Sequence, residues 1–357
     1  MMNRVSSYMQ SRAKGLIALG VGLLGGLSFI QMGLSLPWVL GSLVACSLAA
    51  LCGVKLAIPS AWRGYAMAML GTILGSSFSP ETLHTLSQWV PTLSVMLILT
   101  VVYFLISFKV LARWSGMDRI NATFAAIPGG LSIVSAIADS YKADSRRIAL
   151  SHSARLVALL ALTPIVLHYV GHYELPASAL PIGQHADQAT FSWVSQLVLV
   201  GCAVAGWLLA RQLRFATGML LFPLLFSAIL HASGYTQAIA HPAAAALSQL
   251  VIGTSVGVRF VGYSWKVLIK DGWLSILVGI GLALLAVVCA LALHTLTGAP
   301  FGAVFLVLLP GGAPEIGVMA LALNIDPAIV TTHHLIRVLF LVSFLGWITS
   351  RIPNSTK

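Results

Sequence analysis

Residues 127–133 read Ile-Pro-Gly-Gly-Leu-Ser-Ile, and residues 309–316 read Leu-Pro-Gly-Gly-Ala-Pro-Glu-Ile. Both stretches interrupt long apolar segments. Proline removes a backbone donor and clashes with the preceding turn. The two glycines then permit backbone angles that other residues resist. A helix must break at each point. Unpaired N–H and C=O groups in hydrocarbon cost several kcal/mol, so such a break survives only inside protein or beside a water-filled cavity.

The two breaks belong to a repeat. At an offset of 182, residues 71–157 match 253–339 without a gap. Gly71, Gly75 and Phe78 fall on Gly253, Gly257 and Phe260, and Pro128-Gly129-Gly130 falls on Pro310-Gly311-Gly312. Asp144, His152 and Arg155 fall on Asp326, His334 and Arg337. The matched residues are Gly, Pro and charged types, which do not coincide by chance as Leu or Ala would. The expected division is 1–170 as a first membrane repeat, 171–190 as a polar linker and 191–357 as a second repeat.

Composition sets the solvent. The 357 residues are 58% hydrophobic and 8% charged, with a mean hydropathy of +0.95. Soluble domains carry about 25% charged residues, so the chain is read as a polytopic membrane protein. The net charge of +11 is not a nucleic-acid footprint, because the basic residues stand singly or in pairs at the ends of apolar runs. Cys46, Cys52, Cys202 and Cys289 lie in apolar stretches without CxxC spacing and read as small hydrophobes. The apolar run from about Gly15 to Ile30 is too long for a signal peptide and is read as the first span.

Apolar segments near 14–33, 36–54, 64–80, 89–112 and 147–170 have counterparts near 192–211, 216–232, 244–260, 272–294 and 327–350. Two topologies fit them. In one, each Pro-Gly-Gly segment crosses as a broken helix, which places Lys142, Arg146 and Arg147 outside. In the other, each is a re-entrant hairpin, and every basic loop falls on the cytoplasmic side as the charge rule requires. The hairpin reading gives five spans plus one hairpin per half. Five is odd, so the halves are inverted. The expected fold is therefore all-α, with 10–12 membrane segments in two inverted repeats and both termini cytoplasmic.

Gly/Pro-interrupted segments at matching positions of two halves point to a transporter binding site. Each arm after a break starts with free N–H groups and a positive dipole end. Gly129, Gly130, Ser132, Gly311, Gly312 and Glu315 are the candidate substrate-binding residues there. Arg155 and Arg337 join them: counted from the N-cap candidates Asp144 and Asp326-Pro327, each sits about 16 Å along its helix, near mid-membrane. An ionisable residue at that depth is costly and marks function, unless it forms a structural charge pair or bonds broken-helix carbonyls. His152 and His334 lie three residues before the arginines, on the same helix face. With Glu315 they are candidates for proton coupling. No carboxylate or cysteine has ligand spacing around the histidines, so no metal or cofactor is expected. No nucleophile elbow, P-loop or Rossmann fingerprint is present.

The duplicated Pro-Gly-Gly, the following His-x-x-Arg helix and Pro37-Trp38-Val39-Leu40-Gly41-Ser42-Leu43 resemble the membrane AbrB family. Gly218-Met219-Leu220-Leu221-Phe222-Pro223-Leu224 is the second copy of that last pattern. The resemblance covers nearly the whole chain. It departs at Ser42, where the family has Pro, and at Phe222, where it has Gly. It implies a bacterial inner-membrane protein and carries two labels, regulator of gene expression and ammonia monooxygenase. The second finds no copper-ligand constellation here.

The sequence thus points to a secondary transporter of a small anionic solute, not to an enzyme. The alternative is a membrane regulator that acts on transcription indirectly, since no soluble domain touches DNA. The expected partners are the lipid bilayer and the solute, with no direct nucleic acid; a homodimer is an assembly open to such a protein.

Overall fold

A computed structural model describes residues 2–173, 193–213 and 217–350. The linker expected at 171–190 lies outside the described residues from 174 onward. Among the described residues all regular structure is helical. The first half contains α1 (Met2–Gln31), α2 (Ser42–Leu51), α3 (Ser60–Gly75), α4 (Val90–Trp114), α5 (Arg119–Ala126), α6 (Leu131–Ser140) and α7 (Ser145–Tyr169). The second half contains α8 (Trp193–Leu213), α9 (Gly218–Ala232), α10 (Pro242–Gly257), α11 (Trp273–Thr297), α12 (Phe301–Leu308), α13 (Ala313–Ala322) and α14 (Pro327–Thr349).

Seven of the described helical stretches are long and apolar enough to cross a membrane. The chain is a polytopic, all-helical membrane protein. The stretches Pro37–Leu51 and Gly218–Ala232 are shorter, about 22 Å each at 1.5 Å per residue. Burial separates the long helices by role. Only 22% of the apolar window of α8 and 28% of that of α1 is buried, against 72% of that of α7. The first two present apolar side chains outward, as lipid-facing helices do. The third, which carries His152 and Arg155, is enclosed by protein.

Two compact units form, and neither coincides with a linear half. Unit 1 comprises the described residues within Met1–Ser87, Glu174–Ser264 and Gly317–Ala328. Unit 2 comprises those within Gln88–Tyr173, Trp265–Ile316 and Ile329–Lys357. Each unit therefore takes segments from both halves of the sequence.

Unit 1 is built on close backbone contact. In α3, a Cβ placed on Gly71 or Gly75 would run into the carbonyl oxygen of Leu220 or Leu224 on α9. In α10, a Cβ on Gly253 or Gly257 would run into the carbonyl of Val39 or of Leu43 on α2. Both are small-xxx-small faces, which let membrane helices approach until van der Waals and weak polar contacts replace the absent hydrophobic drive. Ser227 Oγ donates to the Thr72 carbonyl across the first contact at 2.8 Å. The glycines matched at the offset of 182 are thus the ones that seat α3 on α9 and α10 on α2.

Unit 2 has an apolar core in which Phe104, Leu111, Phe124, Ile127, Val134, Ile148, Leu274 and Leu341 pack together. Around it two helix starts are capped by aspartates, of which the sequence marked Asp144. Asp144 accepts from the N–H groups of Arg146 and Arg147 at 3.1 Å each to start α7. Asp118 accepts from Asn121 N–H at 3.1 Å to start α5. Such caps satisfy donors that a helix start leaves orphaned.

Candidate functional site: two helix breaks held by His-Arg pairs

α5 ends at Ala126, and Ile127 leaves the helix with φ −59° and ψ 128°. Gly129 (φ 113°) and Gly130 (φ 66°) then take left-handed angles, which a side chain with a Cβ resists. α6 starts directly afterwards. Its first turn closes with the bond from Val134 N–H to Gly130 O at 2.9 Å, so the N–H groups of Leu131, Ser132 and Ile133 precede it. The side chain of Ser132 lies outside the described residues.

The segment folds back on itself. Asn121, in the first turn of α5, accepts through Oδ1 from the backbone N–H of Asp144, four residues past α6, at 2.7 Å. The Phe124 ring lies 5.7 Å from that of Tyr141 at the end of α6. A straight broken helix would separate residues 121 and 144 by about 35 Å at 1.5 Å per residue. The first Pro-Gly-Gly is therefore the tip of a hairpin whose two ends meet. That fold-back is the geometry expected of the re-entrant topology at the first break.

Breaking the helix orphans the last carbonyls of α5, and α7 supplies their donors. Arg155 Nη1 donates to Ala125 O (3.2 Å) and Ala126 O (3.4 Å), and Nη2 donates to Ile127 O (2.5 Å). Nη2 also donates to His152 Nδ1 at 3.4 Å. A guanidinium can only donate, so Nδ1 accepts and the proton of the imidazole sits on Nε2. Nε2–H donates to Phe124 O at 3.0 Å. One His-Arg pair thus covers four consecutive carbonyls, those of residues 124 to 127.

The second break is held the same way. His334 Nε2 donates to Leu306 O at 2.9 Å and Arg337 Nη1 to Leu309 O at 2.7 Å. Arg337 Nη2 donates to Gly311 O and to His334 Nδ1. Leu306 and Leu309 stand 182 positions after Phe124 and Ile127, the offset of the repeat. Both arginines are at least 97% buried, with 3% of Arg155 and 1% of Arg337 exposed. Burying a guanidinium is tolerable where carbonyl oxygens replace its water. Arg337 Nε is buried without a hydrogen-bond partner among the described residues, so this charge is less completely satisfied than a fully bonded guanidinium would be.

The two tips meet. A Cβ on Gly129 would lie 3.4 Å from Gly311 O. They are not equivalent in detail. Beyond Gly130 there is open space, with no atom of the described residues within 4 Å of a Cβ placed there. Gly311 and Gly312 are absent from the positive-φ glycines and are small for another reason. A Cβ on Gly311 would lie 2.7 Å from Ile316 Cγ1, and one on Gly312 would overlap the Glu315 carboxylate. Glu315, buried to 4% exposure, folds back over the start of its own helix. An acid in the first turn favours that position through the helix dipole.

Sequence reasoning found the glycines, the acid and both His-Arg pairs, and the structure brings them together in unit 2. It missed Tyr103, whose hydroxyl donates to Leu308 O at 3.2 Å. It also missed Asn121, His333 in its bond with Thr92 Oγ1 (2.9 Å), and the Ser151–Ser275 hydroxyl pair at 2.7 Å. Tyr103 and Asn121 fall on Leu285 and Ala303 at the repeat offset, so a search for matched polar residues passes over them. Among the described residues no group of three or more His, Cys, Asp or Glu is placed to hold a metal ion.

Comparison with known proteins agrees with the family resemblance. The family model described as "Transition state regulatory protein AbrB" matches residues 38–352. "Uncharacterized protein YhjN" of Bacillus subtilis (strain 168) is 26% identical over 356 residues, covering 93% of this chain and 91% of that protein. "Putative regulator AbrB" of Escherichia coli (strain K12) is 25% identical over 331 residues, covering 91% and 92%. No solved structure matches. With a family model spanning both helix breaks and nearly all the helices around them, this chain belongs to the AbrB family.

Proposed function

We propose that this protein is a secondary transporter of a small anionic solute, bound where the two Pro-Gly-Gly tips meet. The observation that carries the reading is the approach of Gly129 to Gly311 O, which sets the starts of α6 and α13 close together inside unit 2. Helix N-termini offer unpaired N–H groups and positive potential. Two buried guanidinium groups add charge, against the buried carboxylate of Glu315. Because Arg155 is committed to carbonyls, its contribution is the shape of the tip and the field around it. The solute meets the backbone N–H groups of the tips.

Two further features fit alternating access, in which one body moves against another around a binding site. The chain forms two compact units, and the distribution of Lys and Arg over the loops makes the two matched halves inverted. In this reading the protein sits in the bacterial inner membrane with both termini cytoplasmic, and 1–170 and 191–357 are the repeats. Glu315 is the group proposed to carry a coupling proton. His152 and His334, each donating through Nε2 to a carbonyl, are assigned to holding the tips.

The test is reconstitution into proteoliposomes with a panel of mono- and dicarboxylates, phosphate and sulfate, with and without a pH gradient. Saturable uptake of at least one anion is expected, with loss in Gly130→Val, which forces a β-branched residue into φ 66°. If folded, reconstituted protein moves none of them and none raises its melting temperature as a bound ligand must, the transporter reading fails.

The name of the Escherichia coli relative favours a second reading, a membrane regulator acting indirectly on gene expression. If deletion changes expression and a transport-dead Gly130 variant restores it fully, the regulatory reading stands and transport is incidental to it.

A further inference from the structure

Unit 1 carries a groove that the binding site at the tips does not use. It has a volume of about 350 Å³ and runs between α3 and α8, lined by Ala68, Met69, Ile73, Val200, Ala203 and Val204. Two of the polar groups on its walls are already engaged. Thr72 Oγ1 donates to Ala68 O at 3.1 Å, and the Gln196 amide donates to Ile239 O at 2.8 Å. The occupant that fits such walls is a hydrocarbon.

Its dimensions select which hydrocarbon. From Gln196 to Trp207 the groove follows α8 for about 16 Å. Even its whole empty volume, about 890 Å³ with the space open to solvent included, gives a mean cross-section of only about 56 Å² over that length, against about 80 Å² for a helix about 10 Å across. A helix of a second copy is too wide to enter. A single extended chain is not.

One end is polar in a specific way. Tyr65 and Trp207 close it with ring centroids 5.6 Å apart, the pairing typical of a membrane–water boundary. One turn further along α8, the Arg211 guanidinium stacks on Trp207 at 4.7 Å. The ring holds this exposed cation at the groove's end, and a guanidinium is the donor fork suited to a phosphate. Arg63, two residues before Tyr65 on α3, has a buried Nε without a partner among the described residues.

We infer that this groove binds an anionic phospholipid, one acyl chain lying between α3 and α8 and the headgroup phosphate on Arg211. The distribution of Lys and Arg predicts that this end is cytoplasmic.

Delipidated protein in neutral detergent is titrated with phosphatidylglycerol, phosphatidylcholine or inorganic phosphate, and thermal stability is followed. One basic residue at the surface contributes about a fivefold preference for an anionic lipid. Phosphatidylglycerol is therefore expected to act at about one-fifth the concentration of phosphatidylcholine. Arg211→Ala, at an exposed side chain, should reduce that ratio to about one while leaving the response to phosphatidylcholine. Ala203→Phe, and independently Val200→Phe at an exposed wall position, should raise the concentrations of both lipids at least tenfold. Equal response of the wild-type protein to the two lipids would overturn the headgroup assignment. Full stabilisation by inorganic phosphate alone, lipid response unchanged in both Phe variants, or conversion of a dimer to a monomer by them would overturn the acyl-chain assignment.

Discussion

Replacing Arg155 separates a guanidinium that holds the first break from one that contacts solute. Arg155 serves the carbonyls of Ala125, Ala126 and Ile127. Each one orphaned in a dry site costs about 1–3 kcal/mol. Removing the buried charge also removes its desolvation cost, so the net loss lies at the low end, about 3 kcal/mol for Arg155→Met. That is more than a hundredfold in the unfolding constant. Arg155→Lys keeps the charge but replaces a planar fork by a point donor, and the stem cannot span three carbonyls and His152. It should recover less than half of the loss. The assay is reversible unfolding in mixed micelles with increasing SDS, read by far-UV circular dichroism and tryptophan fluorescence. Wild-type stability in Arg155→Lys would refute the clamp, because charge alone would then suffice. So would a fully stable Arg155→Met that had lost only its response to anions, since the arginine would then be a solute ligand.

Other expectations follow from contacts of the same kind. Gly71→Ala and Gly253→Ala force a methyl group against the carbonyls of Leu220 and Val39 and should each destabilise by about 1–3 kcal/mol in the same unfolding assay. Gly281→Ala, with nothing within 4 Å of the new methyl group, should be neutral or stabilise by up to about 1 kcal/mol. Tyr103→Phe deletes the bond to Leu308 O and should cost about 1 kcal/mol; no change would mean that the carbonyl finds another donor. Cysteines introduced at the exposed positions Arg113 and Ser140 should react with an impermeant maleimide from the same side of the membrane, because the first Pro-Gly-Gly is a hairpin. Labelling from opposite sides would show a crossing segment.

The glycines show where sequence reading succeeds. Gly71, Gly75, Gly253 and Gly257 repeat at a fixed offset, and their job is to have no side chain. That requirement leaves a mark on residue type that survives in both halves. The Pro-Gly-Gly triplets are legible for the same reason, as is the Asp144 cap. The arginines are only half legible. Depth along a helix says that a buried guanidinium needs partners, but carbonyls are present at every position of the chain and leave no trace in residue type. Only folding shows that Arg155 faces the end of α5.

The sequence by itself determined the membrane class, the matched glycine positions and the two breaks, because hydropathy, glycine and proline act locally. Tertiary structure decided that the first break turns back, since the bond from Asp144 N–H to Asn121 joins residues 23 positions apart and has no counterpart in the other half. It also decided that the chain forms two units that each mix both halves. Which helix packs on which depends on backbones approaching across more than a hundred residues of intervening chain, and one-dimensional patterns carry no information at that range.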